Sequence, residues 1–377
     1  MGAIYFHIPF CKQACHYCNF HFSTSLKYRK EMLQSLIKEV ALRKNELPDE
    51  PLHSIYFGGG TPSLLRPEEI GYLLDAVRKN FHFSPAIEIT LEMNPDDYVA
   101  GYFDAIKKVG VNRLSVGIQS FFEEELQQMN RAHTAQDAYS VMEEVKKHFD
   151  NFSLDLIYGM PGSNLERWQK NIDIALSFSP PHISSYALTV EENTALAYQV
   201  DEEQVTLLPE EMVAQQFDRL VSCLTEVGFD HYELSNFGLP YYHSVNNSAY
   251  WQGKPYLGIG PSAHSFYANQ RSWNIANNKK YIQGIQTKQP LIEREELSKI
   301  DQYNEFVMTG LRTEKGVDLQ DIKKRFGVKF SQLFEEQVEK HLTHQHLFWD
   351  GDTVKVSQKA KFLVDGIASD LFLLNLE

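Results

Sequence analysis

The sequence predicts an α/β protein, a partial TIM-like barrel of six β/α units followed by a C-terminal helical, winged-helix-like domain. Three observations predict this fold. Apolar runs alternate with amphipathic stretches up to residue 188, glycines and polar residues gather where the apolar runs end, and three helical stretches precede a hairpin signal near the C-terminus. We expect the barrel to span residues 1–190, an extension of the barrel 191–293 and the C-terminal domain 294–377.

The first half contains six apolar runs that read as strands: 3–8, 54–57, 87–92, 113–117, 153–158 and 182–188. Between them lie stretches with apolar residues at helical spacing: 26–43, 67–80, 99–109, 135–148 and 165–177. Such alternation indicates parallel strands joined by right-handed crossovers, either in an open sheet or in a partial barrel. The second possibility is favoured because the unusual residues of this half all fall at the ends of successive strands.

The alternation fades after residue 188. A helix is expected over 212–227, carrying Cys223 as a buried structural thiol, and then a short strand leads into a loop over 246–251. Further on, the helical stretches 301–313, 319–326 and 330–344 precede a hairpin around Asp350-Gly351-Asp352. The last of these helices is too acidic to meet phosphates, so a lid or docking module is favoured over DNA binding.

Three cysteines, Cys11, Cys15 and Cys18, form a C-x3-C-x2-C run directly after the first predicted strand. Thiolates packed this densely suit zinc or an iron–sulfur cluster. A four-iron cubane needs four ligands, so three thiolates would leave one iron open to an outside molecule. The alternative is a zinc site completed by His7 or His16, although zinc ligands usually come in two separated pairs.

Glycines and polar residues mark the ends of the other strands: Gly58, Gly59, Gly60, Thr61 and Pro62 after the second, Glu92 and Asn94 at the third, Gln119 after the fourth and Asp155 in the fifth. The glycine run lacks the Lys-Ser/Thr ending of a phosphate loop. Buried carboxylates such as Glu92 and Asp155 need a partner. Arg113 or Arg131 could pair with them, and a ribose diol or an ammonium group of a ligand could serve equally well.

Composition restricts the function classes. The net charge of −14 and the pI near 5.5 make nucleic acid an unlikely partner. No apolar run approaches the ~20 residues that cross a bilayer, and the first ten residues lack the basic segment of a signal peptide. Cluster-type cysteines without a disulfide framework fit a reducing compartment. We therefore expect a cytoplasmic protein without a transmembrane segment, with peripheral membrane contact left open.

The C-x3-C-x2-C run after the first strand resembles the signature of the radical S-adenosylmethionine (SAM) superfamily. The resemblance implies a [4Fe–4S] cluster on the three cysteines and SAM chelated to the fourth iron, with one-electron cleavage of a carbon–sulfur bond of SAM. The chain is most similar to the oxygen-independent coproporphyrinogen III oxidase family. The matching segments are YFHIPFC, IYFGGGTPS, ITLEMNP, VNRLSVGIQSF, MNRAHT, DLIYGMPG, YELSNF and YLGIGPSAH. By this resemblance the contacts to one or two SAM molecules are Tyr5, Gly59, Gly60, Thr61, Glu92, Gln119, Arg131 and Asp155.

Within that family the chain looks more like the HemW heme chaperones than like the oxidase. The oxidase continues its last cluster cysteine as C-x-C and has an N-terminal extension, whereas Asn19 and Phe20 follow Cys18 here and ten residues precede Cys11. HemW proteins carry an H-N-x-x-Y-W motif associated with heme. In its place this chain has Asn246-Asn247-Ser248-Ala249-Tyr250-Trp251, without the histidine.

The resemblance implies a protein that binds heme and transfers it to an acceptor hemoprotein. Oxidative decarboxylation of coproporphyrinogen III is the alternative. The residues expected at the heme are His243, Asn246, Tyr250 and Trp251. Imidazole is the usual ligand of heme iron and asparagine is a poor substitute, so His243 would have to reach the same place. His264 is a further candidate that the resemblance does not itself support.

Overall fold

Twelve strands form one sheet in the computed structural model, which describes residues 2–374. Its centre consists of six strands: β1 (Gly2–Ile8), β2 (Leu52–Gly59), β3 (Phe83–Met93), β4 (Arg113–Gln119), β5 (Phe152–Tyr158) and β6 (His182–Ala187). The helices among them are α1 (Arg29–Leu42), α2 (Pro67–Arg78), α3 (Tyr102–Val109), α4 (Glu123–Gln128), α5 (Ala135–His148) and α6 (Leu165–Ser177). The α/β pattern predicted for this half is confirmed.

The six central strands are parallel and adjacent in chain order. Their register aligns Tyr5 on β1 with Tyr56 on β2, and Gly117 on β4 with Asp155 on β5. The carboxyl ends of β1 to β5 therefore meet at one edge, where the predicted site residues lie.

Later elements lengthen this sheet at both sides: α7 (Ala195–Asp201), α8 (Glu210–Glu226), β7 (Asp230–Glu233), β8 (Asn236–Gly238), α9 (Val245–Trp251), β9 (Tyr256–Ile259), β10 (His264–Tyr267), β11 (Gln270–Asn274), α10 (Asn278–Gln286) and β12 (Ile292–Glu296). Strand β8 pairs with β6 in antiparallel orientation, so the barrel stays open. Strand β9 pairs with β1 in parallel orientation, which adds a strand that the sequence pattern did not predict. The proposed domain limits stay a prediction.

Residues 246–251 were predicted as a loop, and that prediction is wrong because they belong to α9. Ser244 caps this helix by accepting a hydrogen bond from the Asn247 N–H. The carboxylate of Glu88, on β3, accepts hydrogen bonds from the N–H groups of Val245 and Asn246 at 3.2 Å each. A negative charge at the start of a helix is favourable. Here it is supplied by Glu88, which is 157 residues away from Val245 in the sequence.

The C-terminal domain contains α11 (Lys299–Leu311), β13 (Val317–Asp318), α12 (Leu319–Phe326), α13 (Val328–Thr343), β14 (Leu347–Asp350), β15 (Thr353–Val356) and α14 (Val364–Asp370). Strands β14 and β15 form a hairpin, and β13 pairs with β15. Three helices before the hairpin, a fourth after it and the small sheet form the winged-helix-like arrangement that was predicted. The domain has its own apolar core, which includes Tyr303, Phe334 and Val354.

Two single features complete the description. Cys223, predicted as a buried thiol, is half-buried on α8 and forms a hydrogen bond with Gln169 at 3.5 Å. No helix within residues 2–374 is long and apolar enough to cross a membrane.

Candidate functional site

The cysteine loop that follows β1 is held by residues distant in the sequence. The Cys11 N–H donates to the Ser23 carbonyl at 3.1 Å, and the His16 N–H donates to the Met129 carbonyl at 3.0 Å. The Asn130 side chain donates to the Ala14 carbonyl at 2.7 Å. The loop is thus fastened to the turn between α4 and α5. Its three cysteines are free thiols and half-buried.

Two polar side chains from outside the cysteine loop contact these thiols. The Thr61 hydroxyl forms a hydrogen bond with Cys11, which lowers the pKa of that thiol. Burial has the larger, opposite effect, and the Cys11 pKa is raised to about 11. The Arg131 guanidinium donates to the Cys15 Sγ at 3.4 Å and to the Asn94 Oδ1 at 2.8 Å. Such outer contacts orient thiolate ligands and offset their negative charge.

A zinc site completed by histidine finds no support in the geometry. The His7 Nε2 lies 2.7 Å from the His21 carbonyl, and the His16 Nδ1 lies 2.9 Å from the Gln128 carbonyl. Throughout the described residues, no group of three or more His, Cys, Asp or Glu side chains is arranged to hold a metal ion. A cubane differs from zinc in that each thiolate binds a different iron, so the three sulfur atoms need not converge on one point.

The glycine run after β2 lies directly against the start of the cysteine loop. A Cβ on Gly60 would lie 2.6 Å from the Phe10 carbonyl oxygen and 2.7 Å from that of Ile8, so only glycine fits there. Gly59 has a φ of 103°, and a Cβ on it would meet the His7 ring at 2.6 Å. These glycines leave a backbone cradle beside the thiols that any side chain would fill.

Glu92, at the end of β3, carries the carboxylate beside this cradle. The Tyr56 hydroxyl donates to its Oε1 at 2.8 Å, and the Tyr5 ring stacks near that of Tyr56 with centroids 6.1 Å apart. Burial, and to a smaller extent the charge of Asp155, raises the Glu92 pKa to about 7, although the hydrogen bond from Tyr56 acts in the opposite direction. Because this carboxyl changes charge near neutral pH and lines a cavity, it suits a cationic or hydroxyl-bearing ligand.

Asp155 lies on the neighbouring side of the barrel, on β5. Ser115 donates to its carboxylate at 2.9 Å and Ser153 does so at 2.9 Å, while burial raises its pKa. Gln119 adopts a left-handed backbone with a φ of 67° at the end of β4. Its amide nitrogen would lie 2.9 Å from a Cβ placed on Gly117.

Of the two kinds of partner considered for these carboxylates, the arginines Arg113 and Arg131 form no ion pair with them. The Arg113 Nε lies 3.8 Å from the Glu88 carboxylate, below the helix α9, and Arg131 reaches the cysteine loop instead. Glu92 and Asp155 form no ion pair in the part of the chain that the structure describes. Their carboxylates are therefore held by hydroxyl groups and stay available to a ligand.

A cavity of about 870 Å³ opens above the cradle, within the range of ~300–1,000 Å³ typical of cofactor sites. On one side it is lined by Tyr5, Gly59 and Glu92, which we call the cofactor wall. On the other side it is lined by Asn246, Tyr250 and Lys254, which we call the α9 wall. Three of the eight expected SAM contacts and two of the four residues expected at the heme therefore face one common space. The other five SAM contacts and the three cysteines are not part of its lining. A second cavity of about 860 Å³ lies on the far side of Tyr250, toward the C-terminal domain.

The residues expected at the heme do not all face this space. Asn246 accepts a hydrogen bond from Ser54 at 3.1 Å and lines the cavity, and the Tyr250 side chain is 46% exposed. Trp251 lines the second cavity, with the Arg312 guanidinium 5.0 Å from its ring centre. His243 also borders only the second cavity. It stacks on Tyr232 and lies 3.1 Å from the Asp230 carboxylate.

Buried hydrogen bonds connect Asp155 on β5 with the start of α9. The His182 ring lies 2.8 Å from the Ser153 hydroxyl and 2.8 Å from the Tyr232 hydroxyl. Ser153 in turn donates to Asp155, and the Ser244 N–H at the start of α9 donates to Tyr232 at 3.4 Å. The burial that surrounds His182 holds its pKa well below the ordinary value, so the ring is neutral at physiological pH.

Two further residues of the site, one beside the cavity and one in its lining, were not predicted. Tyr56 holds Glu92, and its signal was the repeated Ile-Tyr-Phe of β1 and β2, which the parallel register aligns. Lys254 brings a positive charge to the α9 wall. Nothing in its local sequence distinguishes it from a surface lysine. The roles assigned to the other site residues stay predictions.

Comparison with known proteins agrees with this architecture. The radical SAM superfamily model matches residues 5–175, and the HemN C-terminal domain model matches residues 297–363. The chain is 31% identical to heme chaperone HemW of Lactococcus lactis, over 97% of this chain and 98% of the relative. It is 33% identical to heme chaperone HemW of Bacillus subtilis, over 91% of this chain and 93% of the relative.

Among solved structures, the coproporphyrinogen III oxidase HemN of Escherichia coli superposes with a TM-score of 0.85 over 98% of this chain and 90% of that one. Their sequence identity is 22%, so this similarity concerns the fold. The radical SAM family implies a [4Fe–4S] cluster and SAM as cofactors, and the thiols, the glycine cradle and the uncompensated carboxylates fit both. The chain belongs to the HemW family of radical SAM proteins.

Proposed function

We propose that this protein binds heme and transfers it to an acceptor hemoprotein, with a [4Fe–4S] cluster and exchangeable SAM bound in the barrel. The observation that carries the proposal is the common cavity, which joins the cofactor wall to the aromatic α9 wall. The relatives named heme chaperone HemW support the choice of cargo. Free thiols suit a reducing compartment such as the cytosol.

The residues of the chain have separate tasks in this proposal. Cys11, Cys15 and Cys18 would hold the cluster, with Arg131 offsetting thiolate charge through Cys15. Glu92 would receive a hydroxyl or ammonium group of SAM, in an orientation fixed by Tyr56. When bound, a cluster with an open iron supplies an electron to the SAM that chelates it.

The remaining SAM contacts follow from position. Gly59 and Gly60 allow the backbone to approach the ligand, and the hydroxyl of Thr61 contacts the cysteine loop. Asp155 offers a second carboxylate from β5, held by two serines. Gln119 contributes an amide from the end of β4. These assignments rest on the family resemblance together with their shared edge of the sheet.

On the other wall, the Tyr250 ring would lie against the tetrapyrrole. Its exposed face can make this apolar contact without any rearrangement of the folded chain. Trp251 would support Tyr250 from the second cavity, since the two rings meet edge to face with centroids 5.2 Å apart. Asn246 lies at the position of the family histidine. His243 would have to give up both Tyr232 and Asp230 to replace it, so we do not assign it as the ligand.

A heme titration of the anaerobically reconstituted protein tests the proposal. We expect one heme per chain by Soret absorbance, no protoporphyrinogen formed from coproporphyrinogen III, and transfer to apomyoglobin at a rate that rises with apomyoglobin concentration. A concentration-dependent rate indicates hand-over through contact rather than free dissociation. Decarboxylation without stable heme binding would instead favour the oxidase activity.

A further inference from the structure

The cavity contains an imidazole that neither the fold nor the cofactor wall uses. Three histidines line it: His7, His21 and His264. The His7 Nε2 is occupied by the His21 carbonyl, and the His21 Nε2 is occupied by Asn278 at 2.8 Å. Within residues 2–374, the ring of His264 stacks on Trp273 with centroids 5.6 Å apart and forms no hydrogen bond. Both of its nitrogens are therefore open to a ligand.

The backbone below His264 is held rigidly. A Cβ on Gly258, in the neighbouring strand β9, would lie 2.1 Å from the His264 carbonyl oxygen, so the two strands touch at this point. The next residue, Ser265, accepts hydrogen bonds from the Gly258 N–H at 2.9 Å and from the buried Arg43 at 3.0 Å. Arg43 is in turn paired with Glu39 at 2.9 Å. An exposed imidazole on such a base is pre-organised for binding.

The chemistry around His264 suits a metallated ring with acidic side groups. The Tyr250 and Trp273 rings line the same cavity and offer flat apolar faces. Lys254 and Arg271 bring two positive charges to this side, and Arg271 also pairs with Glu305 at 2.7 Å. Burial and the charge of Arg271 lower the His264 pKa, which favours the neutral imidazole that can bind a metal.

We propose that His264 is the axial ligand of heme iron in this protein and that Lys254 receives a heme propionate. This inference rests on the proposed heme binding and names the residues of that same cavity. It explains how the chain keeps an imidazole for iron although Asn246 stands where related proteins have histidine. The ligand then comes from the β9–β10 edge of the sheet rather than from helix α9.

The test is hemin titration of the intact, cluster-loaded protein and of variants. We expect His264→Ala to lower the affinity for hemin at least tenfold and to shift the Soret band. His264→Gln, which fills more of the space of the imidazole than alanine does, should have the same effects. Added imidazole should restore the wild-type spectrum in His264→Ala. His344→Ala removes an exposed, ring-stacked histidine of the C-terminal domain and should leave affinity and spectrum unchanged. Cluster iron content and circular dichroism verify that each variant is folded.

Lys254 is tested by ligand chemistry. We expect Lys254→Ala to weaken hemin binding about threefold to tenfold without moving the Soret band. The same variant should not affect the binding of hemin dimethyl ester, which has no free carboxylate.

The outcomes separate the two proposals. A wild-type protein that does not bind hemin overturns the proposed function itself. A wild-type protein that binds hemin while His264→Ala keeps its affinity and Soret band overturns only the assignment of His264. The assignment of His264 would also be overturned if His243→Ala lost the wild-type Soret band while His264→Ala kept it. An equal effect of Lys254→Ala on hemin and on the ester would overturn the propionate contact.

Discussion

The two walls of the cavity are supported in different ways. The cofactor wall belongs to β1, β2 and β3, which lie inside the sheet with a paired strand on each side. The α9 wall rests on a helix of seven residues, whose start is held by Glu88 and Ser244. A short helix held at its start can shift at lower cost than a central strand. The cofactor wall can therefore fix a ligand in one place, and the α9 wall can adjust to a ligand that enters and leaves.

This difference suits the two kinds of ligand in the proposed function. A cofactor that must meet a cluster needs a fixed position, because small displacements cost much reactivity. A cargo that must be released needs a wall that opens, and the half-exposed Tyr250 stands at that wall. The following experiments change the α9 wall, the cofactor wall or the residues beside the cofactor wall.

The largest effect is expected at the cysteines beside the cofactor wall. Replacing Cys11, Cys15 or Cys18 by Ala should abolish the cluster, because a cubane with two protein thiolates loses a required ligand. Iron and sulfide analysis after anaerobic reconstitution measures this. Cys223→Ala, on α8 and distant in sequence, is the matched control and should keep full iron content. A Cys11→Ala protein with full iron and sulfide would refute the cluster assignment.

Glu88→Ala should damage the α9 wall most. It leaves the buried Arg113 without its carboxylate and frees the N–H groups of Val245 and Asn246. Breaking a buried pair in this way costs about 3–5 kcal/mol of unfolding free energy. Urea unfolding measures the loss, and Glu68→Ala, at an exposed site on α2, should change stability by no more than about 0.5 kcal/mol. A cost below about 1 kcal/mol would mean that α9 does not depend on Glu88.

Glu92→Gln and Asp155→Asn should separate SAM binding from cluster assembly. Both keep the shape of the side chain and remove the charge, and each should weaken SAM binding about tenfold to a hundredfold, or about 1.4–2.7 kcal/mol. Equilibrium binding of SAM measures the effect in protein with full iron content. The control is Asp104→Asn, whose carboxylate is exposed on α3. Unchanged SAM affinity in both variants would argue against these contacts.

Asn246→His introduces, at the α9 wall, the histidine that the resemblance to the H-N-x-x-Y-W motif implies. The Asn246 side chain already lines the cavity, so an imidazole there should strengthen heme binding about tenfold, or about 1.4 kcal/mol. Hemin titration with Soret detection measures it, alone and combined with His264→Ala. If affinity and spectrum stay the same, position 246 does not reach the iron.

The smallest effect concerns the pH dependence of stability. Burial raises the Glu92 pKa to about 7 from an ordinary value of 4.5. The folded state therefore binds more protons than the unfolded state between these values, and the contribution of Glu92 to stability is lost as pH rises through about 7. Glu92→Gln removes this dependence. Relative to the wild type, Glu92→Gln should gain about 1 kcal/mol of stability between pH 5 and pH 8. This is less than full burial implies, because Glu92 is only partly buried and lines the cavity. Parallel pH curves for both proteins would show that Glu92 has an ordinary pKa.

The cofactor wall could be predicted because its residues follow regular strands. The cysteines, Gly58 to Gly60 and Glu92 each come at the end of an apolar run, and parallel strands bring such ends together. The alternation of the first half also gave the number and order of the central strands.

The α9 wall could not be predicted in the same way. Helix α9 has a poorly helical sequence around Asn246, and its capping carboxylate, Glu88, is 157 residues from Val245. Strand β9 has four residues and finds its place by pairing with β1 and β10. His264 enters the cavity because Gly258 allows two strands to touch. Each of these depends on a distant partner, which periodicity does not reveal.

The anchoring of the cysteine loop also bears on how the protein is made. The cysteines leave the ribosome first, whereas Asn130 and Arg131, which hold Ala14 and Cys15, follow 116 residues later in each case. At about 5–20 residues per second, that interval is roughly 6–23 seconds. During this time the nascent chain exposes three thiols without the contacts that orient them. We therefore expect the cluster to be inserted after the barrel has folded. Until then the thiols of the nascent chain are exposed to oxidation.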